Sequence, residues 1–256
     1  MTSASISVII PSYNMARFLP DAITSVRRQA RTVAEILVVD PSSTDDTVAV
    51  VADLARQGAP VRRIGTKPTG PAAARNVGLA KARGELIAFL DADDLWPADK
   101  LYHQCARLDR MPRVDMVSGH VQFFDRLDPI ALAPAETSRT STIFHVYVGA
   151  CLFRRKVFDD IGRFDERLRY CEDIDLMERL RERAIPFTIL REITLFYRRH
   201  ADAMMASRNP RQAADFRRAQ ALSRARRNAL GKEQLPAFET FLEPCSESCP
   251  GGSRLR

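Results

Sequence analysis

Three carboxylates stand within four residues at Asp91-Ala92-Asp93-Asp94, directly after the apolar segment 86–90. Like charges this close repel one another, so the cluster needs compensation by a cation. Two acids one residue apart suit Mg²⁺ or Mn²⁺, which prefer oxygen ligands and often keep positions for substrate phosphates. The alternative is that the acids stabilise the N-terminus of a helix predicted from residue 98. Because they follow a strand in an α/β pattern, a divalent cation held by Asp91 and Asp93 is the favoured prediction.

Two loops near the N-terminus carry side chains suited to a nucleoside. In Pro11-Ser12-Tyr13-Asn14 the ring of Tyr13 could stack on a base, although the segment also fits a simple turn. Asp40, in VVDPSSTDDT, could accept hydrogen bonds from a ribose hydroxyl or a base N–H. An ordinary loop carboxylate explains Asp40 equally well.

Arg75 and the acidic segment Glu172-Asp173-Ile174-Asp175 complete the candidate residues. Arg75 falls in the first turn of a predicted helix, where the helix dipole disfavours a cation, so contact with a base or a diphosphate is predicted. The competing interpretation is an exposed arginine beside an acid. The acidic segment opens another helix, where acids are stabilised in any case. A carboxylate there could also act as a general base toward a hydroxyl, and Asp175 could face a basic neighbour.

Alternating apolar strands and amphipathic helices must position these residues. Strands are predicted at residues 6–10, 35–40, 61–64 and 86–90, and helices at 19–29, 44–57 and from 71 onward, with Thr44 capping the second. Strands that are apolar on both faces indicate an α/β fold with a mostly parallel sheet flanked by helices. Ligands of such sheets bind beyond the carboxyl ends of the strands, so Tyr13, Asp40 and Asp91 should share one crevice.

The second half of the chain is predicted to contain a helix at 98–108 and a strand at 116–124. A Pro/Ala/Ser/Thr-rich loop follows at 125–143, with renewed apolar order at 146–153. A helix at 172–183 should turn Ile174, Met177 and Leu180 inward. After Arg208 comes the basic helix RQAADFRRAQALSRARRNAL. Its arginines are interpreted as a solvated face, with adhesion to anionic lipid as the alternative.

Composition narrows the function classes. The 256 residues carry a net charge of +7, yet no nucleic-acid-binding motif accompanies it, so nucleic acid is not a predicted partner. No signal segment or 20-residue apolar stretch is present, which predicts a cytoplasmic protein, touching a membrane at most peripherally. Five scattered cysteines do not suggest a disulfide framework, and Cys245 and Cys249 lack the second ligand pair of a closed metal site.

The ordered motifs SVIIPSYN, VVDPSSTDDT, GPAAARNVGL, GELIAFLDADDLW and YCEDIDLMERL resemble family 2 glycosyltransferases with the GT-A fold. The resemblance covers about four-fifths of the chain, and its specificity lies in the order of five motifs. One departure stands out: Asp40-Pro41-Ser42-Ser43 replaces the usual Asp-Asp-Gly-Ser.

The resemblance implies an inverting, metal-dependent hexosyl transfer from a nucleotide-diphosphate sugar, most simply a UDP-sugar. The acceptor is a hydroxyl, lipid-linked or otherwise, in polysaccharide or glycoconjugate synthesis. Asp91 and Asp93 would hold Mn²⁺ or Mg²⁺, with Asp93 the direct ligand. Nucleoside-binding positions would be Pro11, Tyr13, Asp40 and Arg75. Asp173 would be the base with Glu172 adjacent, and His200 of YRRH would approach the metal or the diphosphate.

The implied organisation is a nucleotide-sugar half at residues 1–115 and an acceptor and catalytic-base half at 116–207. A basic helix with a flexible tail follows at 208–256. Two alternatives stay open: a non-catalytic nucleotide-sugar-binding protein, and a nucleotidyltransferase. The second usually carries an early Gly-rich phosphate loop, and PSYN contains no glycine. A NAD-dependent oxidoreductase lacks support for the same reason.

Overall fold

A computed structural model of the chain describes residues 4–67, 70–144, 147–204, 209–232 and 234–243. The helices within these ranges are α1 Leu19–Arg27, α2 Thr47–Arg56, α3 Pro71–Lys81, α4 Lys100–Arg110, α5 Lys156–Ile161, α6 Glu172–Glu182 and α7 Pro210–Ala229. The strands are β1 Ile6–Pro11, β2 Glu35–Asp40, β3 Val61–Gly65, β4 Leu86–Phe89, β5 Met116–Phe124, β6 Leu127–Asp128, β7 Ala133–Pro134, β8 Ser141–Ile143, β9 Leu152–Arg154 and β10 Phe187–Arg198. None of the helices described is both long and apolar enough to cross a bilayer.

The central sheet has the strand order β10-β5-β9-β4-β1-β2-β3, with β8 paired to β5. Strands β3, β2, β1 and β4 are mutually parallel. The short β9 runs antiparallel to both β4 and β5, and β10 runs parallel to β5. Strands β4, β5 and β10 therefore point the same way, and their carboxyl ends share one edge with those of β1 and β2. The predicted α/β fold is confirmed, and its first four strands lie where the sequence predicts them.

The sheet is buried on both faces because its strands are apolar at every position. In β1, Val8 and Ile10 belong to one hydrophobic core and Ile9 belongs to the other. Alternation along a strand thus supplies both cores, as expected for a parallel sheet covered by helices. Gly78 of α3 lets that helix approach β1, since a Cβ at this position would overlap the side chain of Ile9.

Two helix starts differ from prediction. Helix α2 begins at Thr47, and the cap predicted at Thr44 is wrong. Asp45 Oδ1 instead accepts hydrogen bonds from the backbone N–H and the hydroxyl of Thr47, at 3.1 and 2.6 Å. Helix α4 begins only at Lys100, so Asp91 and Asp93 lie well before its first turn. Helix capping therefore does not explain the acidic cluster.

The segment 125–143 is not the structureless loop that its composition predicts. It contains the hairpin of β6 and β7, followed by β8, which extends the sheet beside β5. Asp125 stabilises the segment by accepting hydrogen bonds from the Ser138 hydroxyl at 3.1 Å and the Arg139 backbone N–H at 2.9 Å. The pairing partners of these short strands are distant in sequence, which is why local composition does not reveal them.

Helix α6 also differs in its inward face. Met177 and Leu180 are buried as predicted, but Ile174 is only half-buried. Asp175 and Leu176 are buried in its place. A charged residue on the inner face requires partners, and these are described with the candidate site.

A fully buried lysine lies between α4 and the segment before β9. Lys100 Nζ donates to Gln104 Oε1 at 2.7 Å and to the Cys151 carbonyl at 3.4 Å, and it lies 4.2 Å from the centre of the Trp96 ring. Burial lowers the pKa of Lys100 to about 7, because a charged ammonium group loses its hydration there.

We predict that Lys100→Met removes a pH-dependent cost of folding. Between pH 7 and 10.5 the unfolded state binds more protons than the folded state, so wild-type stability rises with pH by about 1.4 kcal/mol per unit. The advantage of Lys100→Met over wild type should therefore be largest near pH 6–7 and shrink toward pH 10. Urea unfolding across this range measures it, with exposed Lys81→Met as the control. Parallel pH curves for wild type and Lys100→Met would contradict the prediction.

Candidate active site

The acidic cluster forms a turn at the carboxyl end of β4. The backbone N–H of Asp94 donates to the Asp91 carbonyl at 3.1 Å. The buried carboxylate of Asp94 accepts from the backbone N–H of Arg198 at 2.9 Å, which ties the turn to the end of β10. Burial raises the pKa of Asp94 well above its usual value, and the charges of Asp93 and Asp91 add to this. Asp94 therefore supports the turn, while the side chains of Asp91 and Asp93 retain 42% and 20% exposure.

Asp93 lies against the segment that follows β10. His200 Nε2 is 2.9 Å from Asp93 Oδ2, and the His200 ring packs on Phe18 with centroids 4.4 Å apart. Arg17, from the loop after β1, donates to Asp202 at 2.5 Å. The structure thus brings His200 to Asp93, as the sequence predicts, and joins the loop after β1 to the loop after β10.

Arg75 connects the acidic cluster to helix α6. Its Nη2 donates to Asp91 Oδ1 at 2.6 Å, and its Nη1 donates to Glu172 Oε1. Arg75 is only 4% exposed, so the interpretation as a surface arginine is wrong. Burial alone would lower the pKa of Arg75, but the carboxylates of Asp91, Glu172 and Asp173 raise it above its ordinary value. These carboxylates offset the unfavourable position of a cation in the first turn of α3.

The three acids of α6 face different surroundings. Burial raises the pKa of Glu172 to about 7, with Arg75 opposing the shift and Asp173 adding to it. Asp175 pairs with Arg179 and Arg226, each at 2.9 Å, which confirms that it faces basic residues. Asp173 is half-buried, and its Oδ1 accepts from the N–H of Ile174 at 2.8 Å. Of the three, Asp173 is therefore the acid left beside the cleft between α6 and β4.

Helix α7 holds the start of α6 in place. Asp215 Oδ2 accepts from the backbone N–H groups of Arg169 and Tyr170 at 3.0 and 3.1 Å, just before Cys171 at φ +62° begins the helix. Arg226 reaches from α7 to Asp175 and to Glu182, the latter at 2.5 Å. Sequence reasoning missed both residues. The available signal was that Asp215 is the single acid in an otherwise basic helical segment.

The candidate nucleoside loops lie at the carboxyl ends of β1 and β2. Tyr13 is 56% exposed at the rim, and Pro11 ends β1 opposite Val39. Asp40 is fully buried. Its Oδ1 accepts from the N–H and hydroxyl of Ser43 at 2.8 and 2.6 Å, and its Oδ2 accepts from Arg63 at 2.7 Å. With both oxygens engaged, contact between Asp40 and a nucleoside stays a prediction that requires these bonds to rearrange.

The acidic turn fits a divalent cation that shares its coordination with substrate. Asp91 and Asp93 offer hard oxygen donors beside a third carboxylate. Over the ranges described above, no three His, Cys, Asp or Glu side chains form a ready-made metal cluster. The protein would thus supply one or two ligands, as Mg²⁺ and Mn²⁺ sites completed by phosphates require. Cys245 and Cys249 lie outside the described residues, and Cys105, Cys151 and Cys171 are free thiols.

Comparison with known proteins identifies the family. The profile of glycosyl transferase family 2 matches residues 7–162. The chain belongs to this family. The match covers Tyr13, Asp40, Arg75, Asp91 and Asp93, while Glu172, Asp173 and His200 lie beyond it.

Curated relatives agree. The chain is 45% identical over 128 residues to an uncharacterized glycosyltransferase of Nostoc sp., covering 47% of this chain and 40% of that one. It is 29% identical over 184 residues to the glycosyltransferase EpsJ of Bacillus subtilis, covering 66% and 53%. It is 37% identical over 100 residues to the putative teichuronic acid biosynthesis glycosyltransferase TuaG of Bacillus subtilis, covering 39% and 40%. The chain thus spans about half or less of the length of each.

Solved structures share the fold. S. aureus TarS 1–349 in complex with UDP superposes with a TM-score of 0.68 at 20% identity, covering 93% of this chain and 68% of that one. The mannosyltransferase PcManGT of Pyrobaculum calidifontis, in complex with GDP-Man and Mn²⁺, gives 0.61 at 22% identity, covering 90% and 65%. The fold is therefore that of the GT-A glycosyltransferases.

We predict that the buried pair of Arg75 and Glu172 is costly to break from one side. Arg75→Met leaves Glu172 buried without its cation and should lower the free energy of unfolding by about 3–5 kcal/mol. Glu172→Gln keeps an oxygen acceptor for Arg75 and should cost much less. The double variant should be more stable than Arg75→Met alone, because no unpaired charge remains.

Urea unfolding at pH 8 measures these differences, where Glu172 is ionised. Arg167→Met removes an exposed pair with Asp165 and serves as the control, with an expected loss of about 0–1 kcal/mol. A loss for Arg75→Met no larger than that of the control would show that the buried pair does not constrain the fold.

Proposed function

We propose that the protein is a metal-dependent glycosyltransferase that moves a sugar from a nucleotide-diphosphate sugar to an acceptor hydroxyl with inversion. The observation that carries the proposal is the bridge made by Arg75, which joins Asp91 at the end of β4 to Glu172, the neighbour of Asp173. This bridge brings a site for a departing diphosphate and a candidate base into one crevice. Family membership supports the same class of reaction.

In this proposal each residue has one task. Asp93, with Asp91, would hold Mn²⁺ or Mg²⁺, which supplies Lewis-acid stabilisation of the departing diphosphate. Arg75 and His200 would add positive charge or hydrogen bonds at the same place. Pro11, Tyr13 and Asp40 would form the nucleoside site.

Asp173 would accept the proton of the acceptor hydroxyl as its oxygen attacks the anomeric carbon from the face opposite the diphosphate. The new carbon–oxygen bond forms while the bond to the diphosphate oxygen breaks, and the electron pair leaves with the nucleotide. A single displacement of this kind inverts the anomeric centre and needs no protein nucleophile.

A UDP-sugar is the proposed donor, supported by the structural neighbour TarS, which has been solved with UDP and with UDP-GlcNAc. PcManGT, solved with GDP-Man and Mn²⁺, makes GDP-sugars the next donors to test and supports the choice of cation. Polysaccharide or glycoconjugate synthesis is the proposed setting, in line with the name of TuaG.

Helix α7 has a structural role in this proposal. Its Arg226 is engaged by Asp175 and Glu182, and its buried residues Asp215, Ala219 and Ser223 face the rest of the protein. We assign α7 to bracing α6. Contact of its other arginines with anionic lipid stays a prediction from the sequence.

The first prediction concerns donor and metal. A nucleotide sugar present at 100 times its Kd, together with Mn²⁺, should stabilise the native state by about 2.7 kcal/mol. Thermal unfolding with UDP-, GDP- and dTDP-sugars measures this. Asp93→Asn should lose the part of the stabilisation that depends on Mn²⁺, whereas Asp109→Asn, on the exposed side of α4, should keep it. Equal Mn²⁺ dependence in both variants would contradict metal binding by Asp93.

The second prediction concerns the base. Asp173→Asn should lower turnover by about 10²–10⁴-fold, the usual contribution of a general base, while donor binding persists. Exposed Asp159→Asn, on α5, should retain turnover. Sugar transfer to an acceptor mixture and thermal shift by the donor are the two measurements. Full turnover by Asp173→Asn would refute the base assignment, and absence of turnover in the wild type despite donor binding would favour the non-catalytic alternative.

A further inference from the structure

The strand order separates the two substrates of the proposed reaction. In β10-β5-β9-β4-β1-β2-β3, the acids after β4 lie between the candidate nucleoside loops after β1 and β2 and the ends of β5 and β10. All these strands end at the same edge of the sheet. A donor bound over β1, β2 and β4 therefore leaves the β5 and β10 side for the acceptor. This step rests on the proposed function.

Three aromatic rings meet at the carboxyl ends of β5 and β10. Phe123 and Tyr197 are register partners in the two strands, with ring centroids 4.9 Å apart. Tyr147, from the segment before β9, lies 5.7 Å from Tyr197 and 6.3 Å from Phe123. We name these three rings the aromatic platform. The guanidinium of Arg199 lies 4.6 Å above the ring of Phe123.

The aromatic platform lies between the two groups of acids. Tyr197 directly precedes Arg198, whose backbone N–H donates to Asp94 at 2.9 Å. Burial raises the pKa of Tyr197, and the charges of Asp94, Asp91 and Asp93 add to this. Burial also raises the pKa of Tyr147, with contributions from Asp173 and Asp94. One hydroxyl thus lies near the proposed metal ligands, and the other lies near the proposed base.

The platform remains partly open. All three rings are partly exposed, whereas Val121 and Leu195 nearby on the same strands are fully buried. The rings pack against the core on their inner side, which accounts for their presence but not for the two hydroxyls beside carboxylates. A ligand that fits must offer an apolar face to aromatic rings and hydroxyl groups to phenols and acids.

We propose that the acceptor is itself a carbohydrate and that one of its sugar rings stacks on Phe123, Tyr147 and Tyr197. A sugar ring presents a C–H face for the aromatic carbons and peripheral hydroxyls for polar partners, and aromatic rings with a polar tip suit such an amphipathic surface. Stacking there directs a hydroxyl toward Asp173. An alkyl chain would leave the polar groups of the platform without partners.

Saturation-transfer NMR tests this with methyl glycosides of glucose, galactose, mannose and N-acetylglucosamine. The full chain is used with Mn²⁺ and either UDP or GDP. We expect ring C–H protons of at least one glycoside to be saturated, and Tyr147→Leu to weaken binding about tenfold. Tyr147→Phe should retain the stacking contribution. Tyr102→Leu, which changes an exposed ring on α4, should bind as the wild type does.

The arms of the experiment separate the possible failures. Thermal shift by UDP or GDP tests the proposed function independently of glycoside binding. Octyl glucoside separates a sugar site from a lipid site: saturation confined to its alkyl chain would overturn the proposal. Equal glycoside binding by Tyr147→Leu and Tyr102→Leu, or no glycoside saturation in the wild type with nucleotide bound, would also overturn it. Phe123→Leu carries the test if Tyr147→Leu does not fold.

Discussion

The buried guanidinium of Arg75 fixes the geometry on which the site depends. It binds Asp91 and Glu172 at once and so joins the end of β4 to the start of α6. A buried ion pair contributes little net stability, because desolvation of both charges offsets their attraction. Removing one partner is far more costly, and the arrangement therefore acts as a constraint on position. Without Arg75, the carboxylates of the crevice would repel one another across a gap that only a bound cation could neutralise.

Charge neutralisation extends outward from this bridge. Asp175 and Glu182 on the buried side of α6 are balanced by Arg179 and by Arg226 of α7. Part of the net charge of +7 thus serves internal acids, and a charge count alone overstates how much of it is available to partners. The same helix supplies Asp215 to the turn before α6. The position of Asp173 consequently depends on contacts from both α3 and α7.

The sequence predicts what local physics determines. Apolar runs and breakers place β1, β2, β4 and α3, because burial on both faces and Pro or Gly at the ends leave local signals. The pairing of Arg75 with Glu172 joins residues 97 positions apart, and no local pattern encodes it. The antiparallel β9, the β6–β7 hairpin and the role of Asp215 are likewise products of tertiary contact. The acids of the site could be named from the sequence, whereas their partners could not.

The loop Asp40-Pro41-Ser42-Ser43 shows how a departure from the family pattern is accommodated. Ser42 adopts φ +77°, a left-handed conformation that glycine takes freely and that costs other residues about 1–2 kcal/mol. Hydrogen bonds from Ser43 to Asp40, and from Thr44 to Asn14, hold the loop in this conformation. Asp40 is thereby committed to the loop interior and to Arg63. The ring of Tyr13 is left as the exposed group at this end of the crevice, so recognition of a base there depends more on stacking than on a carboxylate.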